Sequence, residues 1–316
     1  MSTITLIWLA IGVLGTWLGA ELLVRGSVRI ALSLGIRPLV IGLTVVALGT
    51  SSPEAVVSLV AAAKGSGGIA VGNVFGSNIA NIGLILGIVG LMHPVRVAWR
   101  EVRLDTLMMV GATLVASGFA FADALNPVSG AVLLGLLVAA LVYYIRGNHT
   151  PGGENPLEDE ALGEQPSRPS LVVPVLLSVA GLGLLVVGAH LLVASAEEIA
   201  RFYGVPEEVI GATMIAVGTS LPELAASVVA IVRGHHDLGV GSIVGSNQMN
   251  LLFVLGGVSM FGDVQVADSV KTSLIPITLA FTFALIPMMA TGGRIRRAEA
   301  GLLLAGYAVF AATSYF

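Results

Sequence analysis

The sequence contains no cysteine and carries little charge. The absence of cysteine excludes disulfides, thiolate catalysis and cysteine-ligated metal sites. Charged residues make up 11% of the 316 residues, whereas a soluble domain has about 25%. Hydrophobic residues make up 56% and the mean hydropathy is +0.95. The composition excludes an ordinary soluble protein, and the net charge of −4 gives no sign of a nucleic-acid-binding surface.

Long apolar segments are what the sequence has in abundance. A membrane-spanning helix needs about 20 mostly apolar residues. The first segment lacks the basic start of a signal peptide, so we expect it to be retained as a span. The sequence predicts ten spans, at residues 4–24, 38–63, 69–92, 104–122, 127–146, 171–194, 208–232, 239–261, 271–290 and 299–315.

Lysine and arginine are distributed unevenly between alternate loops of this arrangement. Twelve lie on one side of the membrane, and the other side has only Lys64, Arg201 and Lys271. Because basic loops stay in the cytoplasm, the first side is predicted to be cytoplasmic. Both termini are then extracytoplasmic, and the protein is expected to be a multi-pass protein of the cytoplasmic membrane.

Two polar motifs occur twice, each time 169 residues apart, inside apolar segments. Ionisable groups at membrane depth are costly, so they indicate a functional site. Two matched copies indicate one site that is assembled from two halves of the chain. The first motif is Gly49-Thr50-Ser51-Ser52-Pro53-Glu54 and Gly218-Thr219-Ser220-Leu221-Pro222-Glu223; the second is Gly76-Ser77-Asn78 with Asn81, and Gly245-Ser246-Asn247 with Asn250.

The repeat also predicts the architecture. Five spans separate equivalent positions, so the second copy enters the membrane in the opposite sense. The predicted fold is an all-α polytopic membrane protein with ten transmembrane helices in two inverted five-helix repeats. Residues 1–146 form the first repeat and residues 171–316 the second. Residues 147–170 are predicted to form an acidic cytoplasmic linker. We interpret this linker as a solvated connector rather than a calcium-sensing loop, because it has no EF-hand spacing.

The first motif combines a helix breaker with oxygen ligands. Pro53 has no N–H, so it is expected to break the helix, free the carbonyls of about Ala47 to Thr50, and leave Ser51 or Ser52 to cap the next helix. Broken backbone at membrane depth lines a cavity or is buried in protein. Carbonyl, hydroxyl and carboxylate oxygens suit hard cations such as Na⁺ and Ca²⁺. In the second motif, Ser77 and Asn81 are four apart and would share a face of an α-helix.

The paired motifs resemble those of the sodium/calcium exchanger family, prokaryotic type, within the cation/calcium antiporter superfamily. In that family two glutamates bind Ca²⁺ centrally, with Na⁺ sites beside them. Many members have Asp at one of the two positions where this chain has Asn81 and Asn250. The resemblance implies metal ligands at Ala47, Thr50, Ser51, Glu54, Ser77, Asn81, Ala216, Thr219, Ser220, Glu223, Ser246 and Asn250.

The expected function is secondary antiport of Na⁺ and Ca²⁺ by alternating access. H⁺/Ca²⁺ or other cation/Ca²⁺ antiport is the alternative, although the segment after Gly72-Asn73 lacks the Glu of the proton-coupled branch. A cation channel is a further alternative. An intramembrane enzyme is not expected, because no nucleophile, zinc or dinucleotide motif accompanies the glutamates. The expected partners are the two ions and the lipid bilayer, with no cofactor, nucleic acid or obligatory protein partner.

Two further expectations concern the first and sixth spans. Neither carries a ligand in this interpretation, so they are the candidates to move and gate access to the site. Glu21 and its repeat equivalent His190 are expected to lie at the membrane interface.

Overall fold

The computed structural model describes residues 3–147, 171–204 and 207–315, and within 207–217 it describes the backbone alone. The predicted linker 147–170 lies outside the described residues apart from residue 147.

The first half of the chain is a series of helices, two of which continue into π-helical segments. A single residue, Ser51, separates α3 from α4. The elements are α1 Thr3–Leu34, α2 Pro38–Ile41, π1 Gly42–Val46, α3 Ala47–Thr50, α4 Ser52–Ala63, α5 Gly67–Ile79, π2 Ala80–Ile85, α6 Leu86–Met92, β1 Val95–Arg96, α7 Trp99–Phe121 and α8 Pro127–Gly147.

The second half follows the same plan. The pair α5 and π2 corresponds to α11 and π3, whose bounds are shifted by 169 residues at both ends of each element. The structure therefore repeats with the same offset as the sequence. The elements are α9 Val172–Phe202, α10 Glu207–Val232, α11 His236–Gln248, π3 Met249–Val254, α12 Leu255–Ser259, π4 Val270–Leu274, α13 Ile275–Ala290, β2 Arg294–Ile295 and α14 Arg297–Tyr315.

Each predicted span coincides with a helical stretch, but the number that qualifies as a span is smaller. Among the described residues seven helices are long and apolar enough to cross a membrane. Pro38–Thr50 and Ser52–Ala63, bent by 48°, form an eighth if counted as one span. In α10, the part with described side chains, Gly218–Val232, is apolar but shorter than a membrane span. The predicted ends of spans one and six were wrong, because α1 and α9 continue to Leu34 and Phe202 beyond the apolar stretch.

The helices α1 and α9 pack against each other in opposite directions. A Cβ added at Gly19 would lie 2.3 Å from the Leu185 backbone N, and one added at Gly188 would lie 2.4 Å from the Thr16 backbone N. The backbones are therefore in direct contact, which is typical of small residues between membrane helices. Both helices expose large apolar side chains on the other face, including Trp17 of α1.

Glu21 links α1 to the end of α10. Its carboxylate accepts from Arg25 Nε at 2.6 Å and lies 2.8 Å from Arg233 Nη2. Glu21 is 7% exposed and His190 is exposed, and their position at the membrane interface stays a prediction. Burial, and then the Arg233 guanidinium, lowers the pKa of His235 in the adjoining loop. His235 therefore adds no positive charge to this cluster at neutral pH.

Short contacts between the two halves recur at the two ends of the molecule. At one end β1 pairs antiparallel with β2, with Val95 opposite Ile295. At the other end the backbone N–H of Val264 donates to the carbonyl of Leu125 at 2.8 Å. Val264 is the repeat equivalent of Val95, so each half makes the same kind of contact with the other.

A buried hydrogen-bonded chain joins α7, α8 and α11. Tyr144 donates from its hydroxyl to Gln248 Oε1 at 2.7 Å, and Gln248 Nε2 donates to the Asp105 carbonyl at 3.0 Å. Tyr144 and Gln248 are 1% and 2% exposed. The chain fixes α11, which carries part of the polar motif, against α7 and α8.

Removing the Tyr144 hydroxyl should therefore destabilise the fold. We expect Tyr144→Phe to lower the free energy of unfolding by about 1–2 kcal/mol, because it leaves the Gln248 oxygen buried without a donor. Thermal unfolding of the protein in detergent measures the loss, with Tyr143→Phe, at an exposed neighbouring position, as the control. An unchanged melting temperature in Tyr144→Phe would contradict this account.

Candidate ion-binding site

Two buried carboxylates from opposite halves form the centre of the site. Glu54 lies in the first turn of α4 and Glu223 in α10, and each is 1% exposed. Ser51 Oγ donates to Glu223 Oε1 at 3.0 Å, and Ser220 Oγ lies 3.4 Å from Glu54 Oε1, which it faces as donor. The contacts are reciprocal. Ser51, three residues before Glu54, contacts Glu223, and Ser220, three residues before Glu223, contacts Glu54.

The threonines of the motif follow the same crossed arrangement. Thr219 lies beside Glu54, and Thr50 lies beside Glu223. Thr50 Oγ1 donates to the Val46 carbonyl at 3.0 Å, so the lone pairs of this oxygen remain available as acceptors. The prediction that the two motifs meet is thus confirmed in the geometry of these side chains.

Several buried oxygens here have no hydrogen-bond partner among the described residues. These include the second oxygen, Oε2, of both Glu54 and Glu223. An uncompensated buried carboxylate is costly, and pairing with a cation removes the cost. The crossed hydroxyls therefore orient one oxygen of each carboxylate and leave the other available to a ligand.

The second motif adds amides and hydroxyls. Asn81 and Asn250 are each 1% exposed and lie in π2 and π3, and π-helical turns are frequent at functional sites. Asn81 Oδ1, Asn250 Oδ1 and Ser246 Oγ lack partners within the described part of the chain. Ser77 is 5% exposed. The helix changes from α to π at Ala80, between Ser77 and Asn81, so their predicted common face stays a prediction.

The predicted break at Pro53 is present, but its hydrogen bonds differ from the prediction. The Ser51 side chain makes no cap; it turns to Glu223 instead, and Ser52 Oγ donates to the Leu48 carbonyl at 2.9 Å. The Ala47 carbonyl is not free, since it accepts from the Ser51 backbone N–H at 3.0 Å. The Ala47 carbonyl also lies 3.4 Å from Thr50 Oγ1, so its role as an ion ligand stays a prediction.

The two copies of the motif are not broken alike. Pro222 lies inside α10, which continues from Glu207 to Val232, whereas the helix of the first copy bends at Ser51. A proline removes only its own N–H from the helix, and neighbouring groups in a membrane protein can compensate for it. Ala216 lies in the stretch of α10 whose side chains are not described, so its predicted role remains a prediction.

Three further amides lie near the predicted ligands, although the sequence did not assign them as ligands. Asn250 Nδ2 donates to Asn78 Oδ1 at 3.5 Å, and Asn247 Nδ2 donates to the Ile243 carbonyl at 3.0 Å. Asn73 Nδ2 donates to Ser58 Oγ at 2.9 Å and lies 3.4 Å from the Glu54 carbonyl. Asn78 and Asn247 belong to the repeated second motif, whereas Asn73 has a serine at its repeat equivalent, so the repeat gives no signal for it.

The donor set has a definite chemical character. Its side chains present carboxylate, hydroxyl and amide oxygens, with a formal charge of −2 from Glu54 and Glu223. No group of three or more His, Cys, Asp or Glu able to hold a metal occurs among the described residues. The set therefore suits hard cations bound by two carboxylates and neutral oxygens, rather than a soft transition metal.

Comparison with known proteins identifies the family. The model of a family described as sodium/calcium exchanger protein matches residues 4–146 and 173–316, so one match covers each half of the chain. The chain belongs to the sodium/calcium exchanger family. It is thus a multi-pass membrane protein of a transporter family, and its class of activity is cation/Ca²⁺ antiport.

Similar proteins agree over nearly the whole length. A candidate antiporter, CaxA of Alkalimonas amylolytica, is 39% identical over 88% of this chain and 87% of its own. The sodium/calcium exchanger MaX1 of Methanosarcina acetivorans is 29% identical over 100% of both chains. The solved structure of the sodium-calcium exchanger NCX_Mj matches with a TM-score of 0.85 at 29% identity, over 100% of both chains.

Proposed function

We propose that the protein exchanges Na⁺ for Ca²⁺ across the cytoplasmic membrane by alternating access. The observation that carries the proposal is the crossed pair of contacts, in which Ser51 holds Glu223 and Ser220 holds Glu54. A ligand bound between the glutamates touches both halves of the chain. Its binding is therefore coupled to the relative position of the halves, as an exchanger requires.

The charge of the site explains how the two ions exchange. Glu54 and Glu223 contribute −2, which one Ca²⁺ neutralises and two Na⁺ also neutralise. Both ions prefer the oxygen ligands present here. Because each ion needs the same two carboxylates, they compete. The proposed ligands are the twelve positions that the family resemblance implies: Ala47, Thr50, Ser51, Glu54, Ser77, Asn81, Ala216, Thr219, Ser220, Glu223, Ser246 and Asn250.

Coupling to Na⁺ rather than H⁺ is supported by what the site contains. Asn81 and Asn250 are amides and have no proton to lose near neutral pH. The segment from Gly72 to Gly76 contains no carboxylate. H⁺/Ca²⁺ exchange is the second candidate.

The proposed architecture is ten spans in two inverted repeats, formed by residues 1–146 and 171–316 and joined by a cytoplasmic linker, 147–170. The antiparallel packing of α1 on α9 and the equivalent contacts of Val95 and Val264 support it. Arg25 and Arg233 both form an ion pair with Glu21, and Arg96 lies opposite Arg294 in the β1–β2 ladder. Within each of these two contacts, residues assigned to the cytoplasmic side lie together. Both termini are then extracytoplasmic.

Ion fluxes in proteoliposomes test the proposal. Vesicles loaded with Na⁺ and diluted into Na⁺-free medium should take up ⁴⁵Ca²⁺, and empty liposomes and vesicles with equal Na⁺ on both sides should not. Uptake that ignores Na⁺ but follows a pH gradient would replace Na⁺ coupling by H⁺ coupling. Uptake without any counter-ion would identify a channel.

Asn250→Asp should make exchange sensitive to protons. The substitution adds a titratable carboxylate beside Glu54 and Glu223, and like charges disfavour its ionised form. We expect the rate of Ca²⁺ exchange to depend on pH more steeply than in the wild type, because protonation of the new carboxyl changes the charge of the site from −3 to the wild-type −2. Asn81→Asp, the repeat equivalent, should behave in the same way. A pH profile that Asn250→Asp leaves unchanged would place Asn250 outside the ion site.

A further inference from the structure

A pair of polar side chains lies one turn beyond each glutamate. In the first half the pair is Ser58 and Asn73, which bridge α4 and α5 at 2.9 Å. Ser58 follows Glu54 by four residues, so both lie on the same face of α4. This contact satisfies the Ser58 hydroxyl and closes the space between the two helices.

The second half has serine at both equivalent positions, Ser227 and Ser242. They are 0% and 2% exposed, and neither hydroxyl has a hydrogen-bond partner among the described residues. A Cβ at Gly239 would touch Ile231 and lie near Ala230, which sets the register between α10 and α11. With that antiparallel register Ser227 lies opposite Ser242, as Ser58 lies opposite Asn73.

The Ser227 hydroxyl is distinguished by its place one turn from a carboxylate. Membrane serines and threonines commonly donate to the carbonyl four residues earlier, as Thr113 and Ser259 do here. The hydroxyls of Ser27, Ser117, Ser178 and Ser246 also lack partners among the described residues. None of those four has a carboxylate one turn away on its own helix, whereas Ser227 follows Glu223 by four residues.

Beyond these two serines the space between α10 and α11 is filled by an apolar side chain. Ile231 packs so tightly on α11 that a Cβ at Gly239 would lie 2.7 Å from its Cγ1. The equivalent positions of the first half are the smaller Ala62 and Ala70. Ser227 and Ser242 thus lie between Glu223 and an apolar plug near the end of the α10–α11 hairpin.

We propose that Ser227 and Ser242 form an auxiliary Na⁺ site on the path between Glu223 and the end of the α10–α11 hairpin. The proposal rests on Na⁺ exchange as the function. Two neutral hydroxyls can replace part of the water around a monovalent cation, and Glu223 one turn away attracts it. A divalent ion would lack charge compensation at this position, so the auxiliary site favours Na⁺ over Ca²⁺.

Single thiols test whether the space between the two serines is reached from water. Because the chain has no cysteine, Ser227→Cys and Ser242→Cys each add the sole thiol. Both positions are buried behind Ile231, so we expect both to react with aminoethyl methanethiosulfonate when this end of the hairpin opens during the transport cycle, and Na⁺ to slow the reaction relative to N-methylglucamine. Ser58→Cys is the control: Asn73 fills the equivalent space, so Na⁺ should leave its slow rate unchanged. Lack of reaction at both thiols, or reaction that Na⁺ does not slow, overturns the proposal.

A second pair of variants separates a cation site from a water-filled space. Ser242→Asn should fill this space by bonding Ser227, as Asn73 bonds Ser58, and raise the half-saturating Na⁺ concentration severalfold with little effect on that of Ca²⁺. Ser242→Thr keeps the hydroxyl and should restore most of the Na⁺ affinity that Ser242→Asn loses. An unchanged Na⁺ dependence in Ser242→Asn overturns the auxiliary site. Failure of wild-type protein to couple Ca²⁺ to Na⁺ is a different result, and it refutes the proposed exchange itself.

Discussion

Glu54→Gln or Glu223→Gln should abolish Ca²⁺ exchange while the protein still folds. Each carboxylate provides half of the −2 charge that compensates Ca²⁺, and both are buried where water cannot take its place. Removing one partner of a buried charge pair costs roughly 3–5 kcal/mol, which corresponds to Ca²⁺ binding weakened by more than about a hundredfold. The glutamine oxygen can still accept from Ser220 or Ser51, so the contact between the halves survives.

Ca²⁺ uptake into proteoliposomes measures the loss, and size-exclusion chromatography checks that each variant is folded. Glu198→Gln is a matched control, since Glu198 is a carboxylate on α9 that accepts from Thr5 at 2.5 Å and takes no part in the ion site. It should exchange Ca²⁺ at close to the wild-type rate. Near-normal exchange in Glu54→Gln or Glu223→Gln would refute the assignment of the two glutamates.

Tying α1 to α10 should also stop transport. The pair α1 and α9 carries no proposed ligand and packs on α10 near the site, so we expect it to move as one body relative to the core. Glu21 and Arg233 join α1 to the end of α10 at 2.8 Å. With cysteines at both positions, a short thiol-reactive cross-linker should reduce Ca²⁺ exchange to the background of empty liposomes.

The same cross-linker provides the control for this experiment. Thr5 and Glu198 join α1 to α9 at 2.5 Å, so cysteines there link the two helices that should move together. That link should leave exchange largely intact, as should each single-cysteine variant treated with the reagent. Full transport by the variant with cross-linked cysteines in place of Glu21 and Arg233 would exclude α1 as the moving element.

Where the repeat is informative, the sequence predicts which side chains come together. The matched motifs identify Glu54 with Ser51 and Glu223 with Ser220, because only a functional site justifies polar groups at that depth twice. It could not predict that the hydroxyls cross between the halves, since that depends on how the two repeats pack. The same limit applies to Gln248 and Tyr144, whose partners are far away in sequence.

Local backbone geometry was predicted less well than the site. Pro53 correctly marks a break, yet Pro222 in the same motif lies within a continuous helix, so the proline alone does not determine the outcome. The π-helical segments at Asn81 and Asn250 have no recognised signal in a hydropathy profile. Helix ends were underestimated at α1 and α9, because hydropathy reports the apolar thickness of the membrane and helices extend past it.

Competition binding tests the central claim most directly. Purified protein in detergent is titrated with ⁴⁵Ca²⁺ at increasing Na⁺, at constant ionic strength and in the absence of any gradient. One overlapping site between Glu54 and Glu223 predicts that each chain binds one Ca²⁺ there, that Na⁺ displaces it with a dependence steeper than first order, and that Glu54→Gln and Glu223→Gln both lose this binding. Ca²⁺ binding that Na⁺ leaves unchanged, or that survives in either variant, would contradict a site shared by the two ions.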